Sequence, residues 1–383
     1  MKEGGVVLLT GGTGFLGRNL IPRLLEKKSK IYVLSRSDNP SCLSSFLKDD
    51  RIFLVRGDVE RDSIFYKDSD MGDIVNNVSQ VIHTVASTSF FEREREKTFS
   101  LNVGGTYNML EFSKKCKNLD SFVYVSTAYV ENRRQGEEVS EDLQLVSHKN
   151  LSAGNPYEES KIAAEFPVRN SKLPWSIVRP AIFSGDSETG FTGYDYRTGQ
   201  GVLLGLLYSI FGKNHDKFWK HREKLKDTSF FEYLEAPCRL KGYNTVTKNF
   251  MFIDDIAGQI NAIVNSQNIV KKIHHVVTKN PITISQMINS IQKALRIRGV
   301  RFDGDFDVKS SNKEERKALK LIDAPYSSYF TRWEPHWRTD NTDRCLQEQG
   351  YERKDMTPEK FDWLMEQYVN NELKTVLKNF GKK

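Results

Sequence analysis

The sequence predicts an α/β fold built on a doubly wound parallel sheet, with a smaller, mixed region toward the C-terminus. Three observations lead there. Short, nearly continuous apolar runs rich in β-branched residues recur along the first part of the chain, helix-like segments separate them, and the first run opens directly onto a glycine-rich turn. Continuous apolar strands suit a sheet covered by helices on both faces, and strands alternating with helices make βαβ units.

In order, the strands are expected at 6–10, 31–35, 52–55, 80–86, 121–126, 175–179 and 274–278. Phe99, Val103, Thr106, Met109, Leu110 and Ser113 recur at helical spacing, so a single long helix is expected over 98–117, between the fourth and fifth strands. Asn155 and Pro156 read as the N-cap and first position of another helix. Pro167, well inside it, should break or kink it. After about residue 185 the pattern loosens into a polar, aromatic-rich insertion over 186–244, which contains the apolar run 202–211 and the basic run 213–226. The strand pattern returns near 249–255, so 245–282 completes the domain begun by 1–185. A substrate-binding, helical region over 283–383 follows, with a helix at 284–295, irregular chain from about 298 and a closing helix over 358–379.

A chain of 383 residues holds two domains or one large domain with an insertion. With 38% hydrophobic residues, 25 Gly and 11 Pro, it is neither collagen-like, mucin-like nor disordered. The net charge of +7 suits an anionic ligand or partner: phosphorylated cofactor, acidic carrier protein, anionic membrane or nucleic acid. Cys42, Cys116, Cys238 and Cys345 are scattered without metal-ligand spacing, so neither a metal site nor a disulfide framework is expected. The chain enters its first strand at Val6, which leaves no room for a secretory signal. The longest apolar run, 202–211, falls short of the roughly 20 residues a spanning helix needs. A cytoplasmic protein, with peripheral membrane contact open, is the expectation.

The turn Gly11-Gly12-Thr13-Gly14-Phe15-Leu16-Gly17 follows the first strand and opens a helix. That context is the one in which glycines admit a pyrophosphate to a helix N-terminus, so a dinucleotide is expected. Arg36 follows the second strand, where an arginine accommodates the 2′-phosphate of NADP, so NADPH is the expected cofactor; Asp38 nearby keeps NADH open. Asp58 and Val59, after the third strand, are placed along the adenine. Tyr157 and Lys161 stand at i and i+4 on one helix face. A phenol of pKa about 10 is a poor acid–base group at neutral pH, and a nearby ammonium should lower it. Thr127, or else Ser126, ends the fifth strand, where a hydroxyl faces the ligand crevice.

Together these features resemble the extended short-chain dehydrogenase/reductase superfamily over roughly residues 5–280, adding His83-Thr84-Val85-Ala86, Asn102-Val103-Gly104-Gly105-Thr106, Arg179-Pro180 and Phe252-Ile253-Asp254-Asp255 to the motifs above. Within it the likeness is to the thioester reductases and fatty acyl-CoA reductases of the male-sterility group. That narrower likeness rests on residues 155–161 with Glu165, on 177–182, and on Ser184-Gly185-Asp186-Ser187-Glu188-Thr189-Gly190. The resemblance implies a Rossmann-type NADP-binding domain and a catalytic group of Thr127, Tyr157 and Lys161, with Ala86, Asn102 and Pro180 near the cofactor. It also implies reduction of an acyl-CoA or acyl-carrier thioester to aldehyde or alcohol. Val85 departs from the family's usual alanine, and the C-terminal portion matches only loosely, at 324–330 and 340–342.

Two other readings stand beside it. One is a sugar-nucleotide epimerase or dehydratase, or a hydroxysteroid-type alcohol dehydrogenase, on the same scaffold; Arg36 and the 185–190 run weigh against the epimerase. The other is a non-catalytic NADPH-binding sensor, which has no need of the Thr127, Tyr157 and Lys161 set. No nucleic-acid partner is expected on the favoured reading, and a homodimer through the helices at 98–117 and after Tyr157 is open. The run 202–211 could line an acyl tunnel or be a core helix. The basic run, with Phe218 and Trp219, could meet coenzyme A phosphates, a carrier or a membrane, or simply be solvated. The closing helix, with Trp363 and Tyr368, reads as amphipathic.

Overall fold

The structure is a computed structural model that describes residues 4–131, 134–142, 154–193, 200–211, 215–313, 315–319 and 329–380. It divides into two compact units.

The first unit comprises Met1–Ala181, Ile253–Val277 and Pro335–Arg353. Its sheet has seven strands: β1 (Val6–Thr10), β2 (Lys30–Ser35), β3 (Ile52–Arg56), β4 (Gln80–His83), β5 (Ser121–Val125), β6 (Trp175–Pro180) and β7 (Lys272–Val276). They pair in parallel throughout, in the order β7-β6-β5-β4-β1-β2-β3. The apolar continuity of these runs is explained by burial on both faces: Val7, Leu8 and Leu9 of β1 and Phe122, Val123 and Tyr124 of β5 are fully buried. One face packs Leu8, Val81, Phe122, Tyr124 and Ile177 against Ile74, Met109 and Ala164. The strand order reverses at β1, between β2 and β4, and a crevice at the carboxyl ends of strands about such a point is where α/β sheets bind ligands.

Helix α1 (Phe15–Leu25) leaves the glycine turn and α2 (Asp68–Asn77) precedes β4. The long helix expected between β4 and β5 is present but interrupted: α3 (Arg95–Phe99) passes through a π-helical turn, Ser100–Gly104, into α4 (Gly105–Ser113). Helix α5 (Pro156–Asn170) begins as expected, with Asn155 Oδ1 accepting from the Glu158 N–H at 2.9 Å. Pro167 does not break it. The proline falls in the last turn, so the bond it removes is among the final ones of a helix that stops three residues later.

The C-terminal stretch is not one region. Residues 335–353 belong to the first unit, where His336–Trp337 pairs in parallel with Glu138–Val139. Glu141 accepts 2.6 Å hydrogen bonds from the His275 N–H of β7 and from Thr342 Oγ1, and so joins that strand to α7 (Asp340–Gln349). Tyr351 donates to Asp255 at the start of α6 (Ile253–Asn265), at 3.0 Å.

The second unit comprises Ile182–Phe252, Thr278–Glu334 and Lys354–Lys383. The expected helix is there at Ile284–Leu295, opened by a capping box of Thr283 and Gln286. The chain from 298 opens with a regular element: Ile297–Asp303 forms a strand parallel to Leu234–Lys241. The apolar run is a core helix, Gln200–Phe211, with Leu203, Leu206 and Leu207 fully buried. The basic run, whose residues 213 and 214 lie outside the described set, is a packed helix over His215–Lys224. Its Phe218 is fully buried, and its Arg222 donates to the Ala294 carbonyl at 3.1 Å and pairs with Glu366. The closing helix runs as Pro358–Gln367, a π turn Tyr368–Glu372, and Leu373–Phe380. The loose likeness at 324–330 falls largely outside the described residues. Among the described residues no helix is long and apolar enough to cross a membrane, and no group of His, Cys, Asp and Glu could hold a metal.

Candidate active site

The glycine turn lies directly against the loop after β4. Gly11 has φ +73°, and a Cβ there would fall 2.4 Å from Thr84 Oγ1 and 2.9 Å from the Val85 nitrogen. Thr84 Oγ1 donates to the Thr10 carbonyl at 2.8 Å, and Thr10 Oγ1 shares a 2.7 Å hydrogen bond with His83 Nδ1. His83 Nε2 meets Thr106 Oγ1 at 3.2 Å, so the fully buried imidazole ties β1 to α4; burial pushes its pKa down to about 3 and keeps it neutral.

Whether a dinucleotide fits can be judged at the start of α1. Its N-cap, Gly14, is exposed and carries no capping side chain, and the first turn holds no acidic residue. The first-turn N–H groups and the positive helix end are therefore open to an anion. Thr13 and Phe15 flank this opening half-buried, while Leu16 and Gly17 are buried beneath it. Arg36 is exposed just past β2 and makes no hydrogen bond or ion pair among the described residues. Asp38, by contrast, is paired with Arg56. The residues fit a nicotinamide dinucleotide.

Other expected cofactor neighbours are placed differently from one another. Asp58 is half-buried and caps its own turn, Oδ1 accepting from the Glu60 N–H at 3.1 Å. The Val59 side chain lies in the core against Gly105. Ala86 is half-buried in the loop after β4, and Pro180 is buried at the end of β6. Asn102, 1% exposed in the π turn, has its amide committed to the protein: Nδ2 donates to the Ser87 carbonyl (2.9 Å) and to Ser160 Oγ (2.8 Å), and Oδ1 accepts from the Ser87 N–H (2.7 Å). It braces the β4 loop against α5 and leaves no amide group turned outward.

At the end of β5 the Tyr157 and Lys161 side chains meet different partners. Tyr157 stands near the Thr127 hydroxyl and packs its ring against Phe90, centroids 5.9 Å apart. Lys161, 2% exposed, donates to the Val125 carbonyl at 2.7 Å and stands 4.4 Å from the Tyr124 ring centroid. The expectation that Lys161 lowers the Tyr157 pKa is not met here. Burial pushes the phenol up to about 12 against the pull of the Thr127 hydroxyl, and burial pushes the Lys161 ammonium down to about 7 against the pull of Glu165. Tyr157 is thus held as a neutral O–H donor at physiological pH. That protonation state suits a group that gives a proton to a developing oxyanion.

The glycines of the 184–190 run serve packing in the second unit. Asp186 Oδ1 collects the Glu188 N–H (3.1 Å), the Thr189 N–H (2.9 Å) and Thr189 Oγ1 (2.9 Å), which folds the loop on itself. Gly190, at φ +70°, lies so near the Pro358–Gln367 helix that a Cβ would fall 2.6 Å from Gln367 Cβ.

An all-parallel sheet with an open glycine turn, and a Thr, Tyr and Lys set at the end of β5, define the dinucleotide-binding oxidoreductase class of the extended short-chain dehydrogenase/reductase type. The chain belongs to the male sterility protein family, whose NAD-binding domain it matches over residues 9–217. It is 28% identical over 263 residues to human (Homo sapiens) fatty acyl-CoA reductase 1, covering 56% of this chain and 51% of that protein. It is also 28% identical over 236 residues to the Xenopus laevis fatty acyl-CoA reductase 1, covering 50% and 46%. The chain thus spans about half the length of these curated relatives. Among solved structures, it resembles the terminal R domain from the myxalamid PKS-NRPS biosynthetic pathway, with TM-score 0.71 at 21% identity over 98% of this chain and 93% of that one. A thiolation-reductase di-domain from an archaeal non-ribosomal peptide synthetase follows at TM-score 0.69 and 19% identity, over 96% and 75%. At these identities the structural likeness is one of fold.

Proposed function

We propose that the chain is an NADPH-dependent reductase of acyl thioesters, taking an acyl-CoA or carrier-bound acyl group to the aldehyde and free thiol, or on to the alcohol. The observation that carries this is the meeting of Thr127, Tyr157 and Lys161 at the end of β5, where Lys161 is anchored to the Val125 carbonyl at 2.7 Å, in a chain whose family relatives are named fatty acyl-CoA reductases. The Thr127 and Tyr157 O–H groups can both turn onto one carbonyl oxygen and stabilise the oxyanion that forms there. Tyr157, held protonated, gives the proton, and Lys161 stands one turn behind it on the same helix face. Loss of the thiol from the resulting tetrahedral carbon leaves the aldehyde.

A bound nicotinamide cofactor supplies the hydride. Gly11, Thr13, Gly14, Phe15, Leu16 and Gly17 would hold its pyrophosphate, Asp58 and Val59 would border the adenine, and Ala86 and Pro180 would lie along the rest, with Asn102 supporting them through Ser87. Arg36 is free to meet a 2′-phosphate, whereas the acid that could bind an unphosphorylated ribose, Asp38, is taken by Arg56. This favours NADPH. NADPH consumption against acyl-CoA thioesters of graded chain length, with products identified by mass spectrometry, tests the reading. Aldehyde or alcohol is expected; no consumption on acyl-CoA or carrier-bound thioesters, by protein that binds NADPH, overturns it.

A further inference from the structure

Strand β6 is buried along its length yet contains Arg179, which is 1% exposed. A guanidinium so placed is strongly unfavourable unless paired and hydrogen-bonded. Glu165 takes it with both carboxylate oxygens, at 2.9 Å from Nε and 2.7 Å from Nη2. Glu131 accepts from Nη1 at 3.1 Å, and His275 Nε2 lies 3.4 Å from the same nitrogen. His275 Nδ1 faces the Arg338 carbonyl at 2.8 Å and is assigned the proton, so Nε2 is the acceptor. Both carboxylates are buried, Glu165 at 3% and Glu131 at 4% exposure.

Glu165 stands one turn beyond Lys161 on α5, as Lys161 stands one turn beyond Tyr157, so the three share a helix face. Around Lys161 stand neutral His83 from β4, the Tyr124 ring and Val125 carbonyl from β5, and Glu165 from its own helix. Glu165 in turn faces Arg179 from β6, Glu131 and Ser126 after β5, Tyr124 from β5, and Arg169 from the last turn of α5. Of these charges, Glu165 is the anion that acts on Lys161.

We propose that Glu165 is a positioning residue: its carboxylate, locked by Arg179, is the buried counter-charge that holds Lys161 as an ammonium against the Val125 carbonyl behind Tyr157. The functional side of this rests on the proposed proton-handling role of Tyr157 and Lys161. Without the Glu165 charge, a lysine buried to this degree titrates below neutrality and the ammonium behind Tyr157 is lost at physiological pH.

The test is the titration of the Lys161 side chain, read by carbon NMR at Cε and assigned by its loss in Lys161→Met. Glu165→Gln should lower the midpoint by about one pH unit or more. Glu131→Gln, equally buried and on the same guanidinium, should leave it in place. Equal shifts in both variants would mean general loosening and overturn the proposal, as would no shift in either. Should Glu165→Gln fail to fold, Glu165→Asp asks the same question. Its shorter carboxylate is drawn toward Arg179, the midpoint should fall by less, and an unmoved midpoint overturns the assignment. In turning-over enzyme, the alkaline limb of kcat should move down with the midpoint in Glu165→Gln alone. The NMR readout needs neither substrate nor cofactor, so failure of the acyl-reductase reading remains distinct from failure of this one.

Discussion

At the scale of single residues, the proposed chemistry depends on one phenol kept protonated and on the lysine one turn behind it. Tyr157→Phe removes the proton and keeps the ring against Phe90. Turnover should fall about 10²- to 10⁴-fold, the range of a lost general acid, with NADPH binding retained by fluorescence titration. Unchanged turnover would exclude Tyr157 as the donor. On the proposed reading Arg36 meets the cofactor's 2′-phosphate. Its substitution by Ala should raise the KM for NADPH about tenfold, as expected for losing a charge-assisted phosphate contact, while leaving NADH kinetics unaltered. Equal losses with both cofactors would mean that Arg36 does not meet the 2′-phosphate.

At the scale of elements, Gly190 shows how a signature run is used for packing. An alanine there must adopt φ +70° and also displace Gln367, so Gly190→Ala should cost about 1–3 kcal/mol in urea denaturation. A loss below about 0.5 kcal/mol would mean that the loop can move off the helix. The strands of the main sheet were legible because continuous apolar runs have one good solution, burial on both faces. The pair Leu234–Lys241 and Ile297–Asp303 was not. Pro237 argues against a strand, and a register shift at Gly299 breaks the alternation of Ile297, Val300 and Phe302. At the site, the glycine turn and the Tyr157/Lys161 spacing are local and so were readable. The Asn102 brace and the Arg179 cluster join residues up to 96 positions apart, and no local pattern announces such pairings. The one available signal was Arg179 itself, a charge inside an apolar strand.

At the scale of the whole molecule, buried ionisable groups set how stability varies with pH. His83, His274 and His275 are buried and pushed down to about 3, His275 partly by the Arg179 guanidinium beside it. Unfolded, they bind protons below about 6.5 that the folded chain refuses. Their contribution is therefore complete above 6.5 and lost as pH falls toward 3. Glu141 acts in the opposite sense, because burial raises it to about 7 and the folded chain holds a proton there that the unfolded chain has released. Its contribution is present below about 4.5 and lost as pH rises through 7. Between 4.5 and 6.5 the three histidines oppose Glu141 and Glu131, which burial also raises, so net stability should fall on acidification, each unbalanced proton contributing a slope of about 1.4 kcal/mol per pH unit. Urea denaturation at stepped pH measures this slope directly. His275→Gln keeps a side chain able to face both Arg179 and the Arg338 carbonyl but cannot titrate, and should flatten the slope by close to one proton. A slope unchanged by that substitution would mean that His275 is already protonated in the folded chain, beside a guanidinium that makes this state unfavourable.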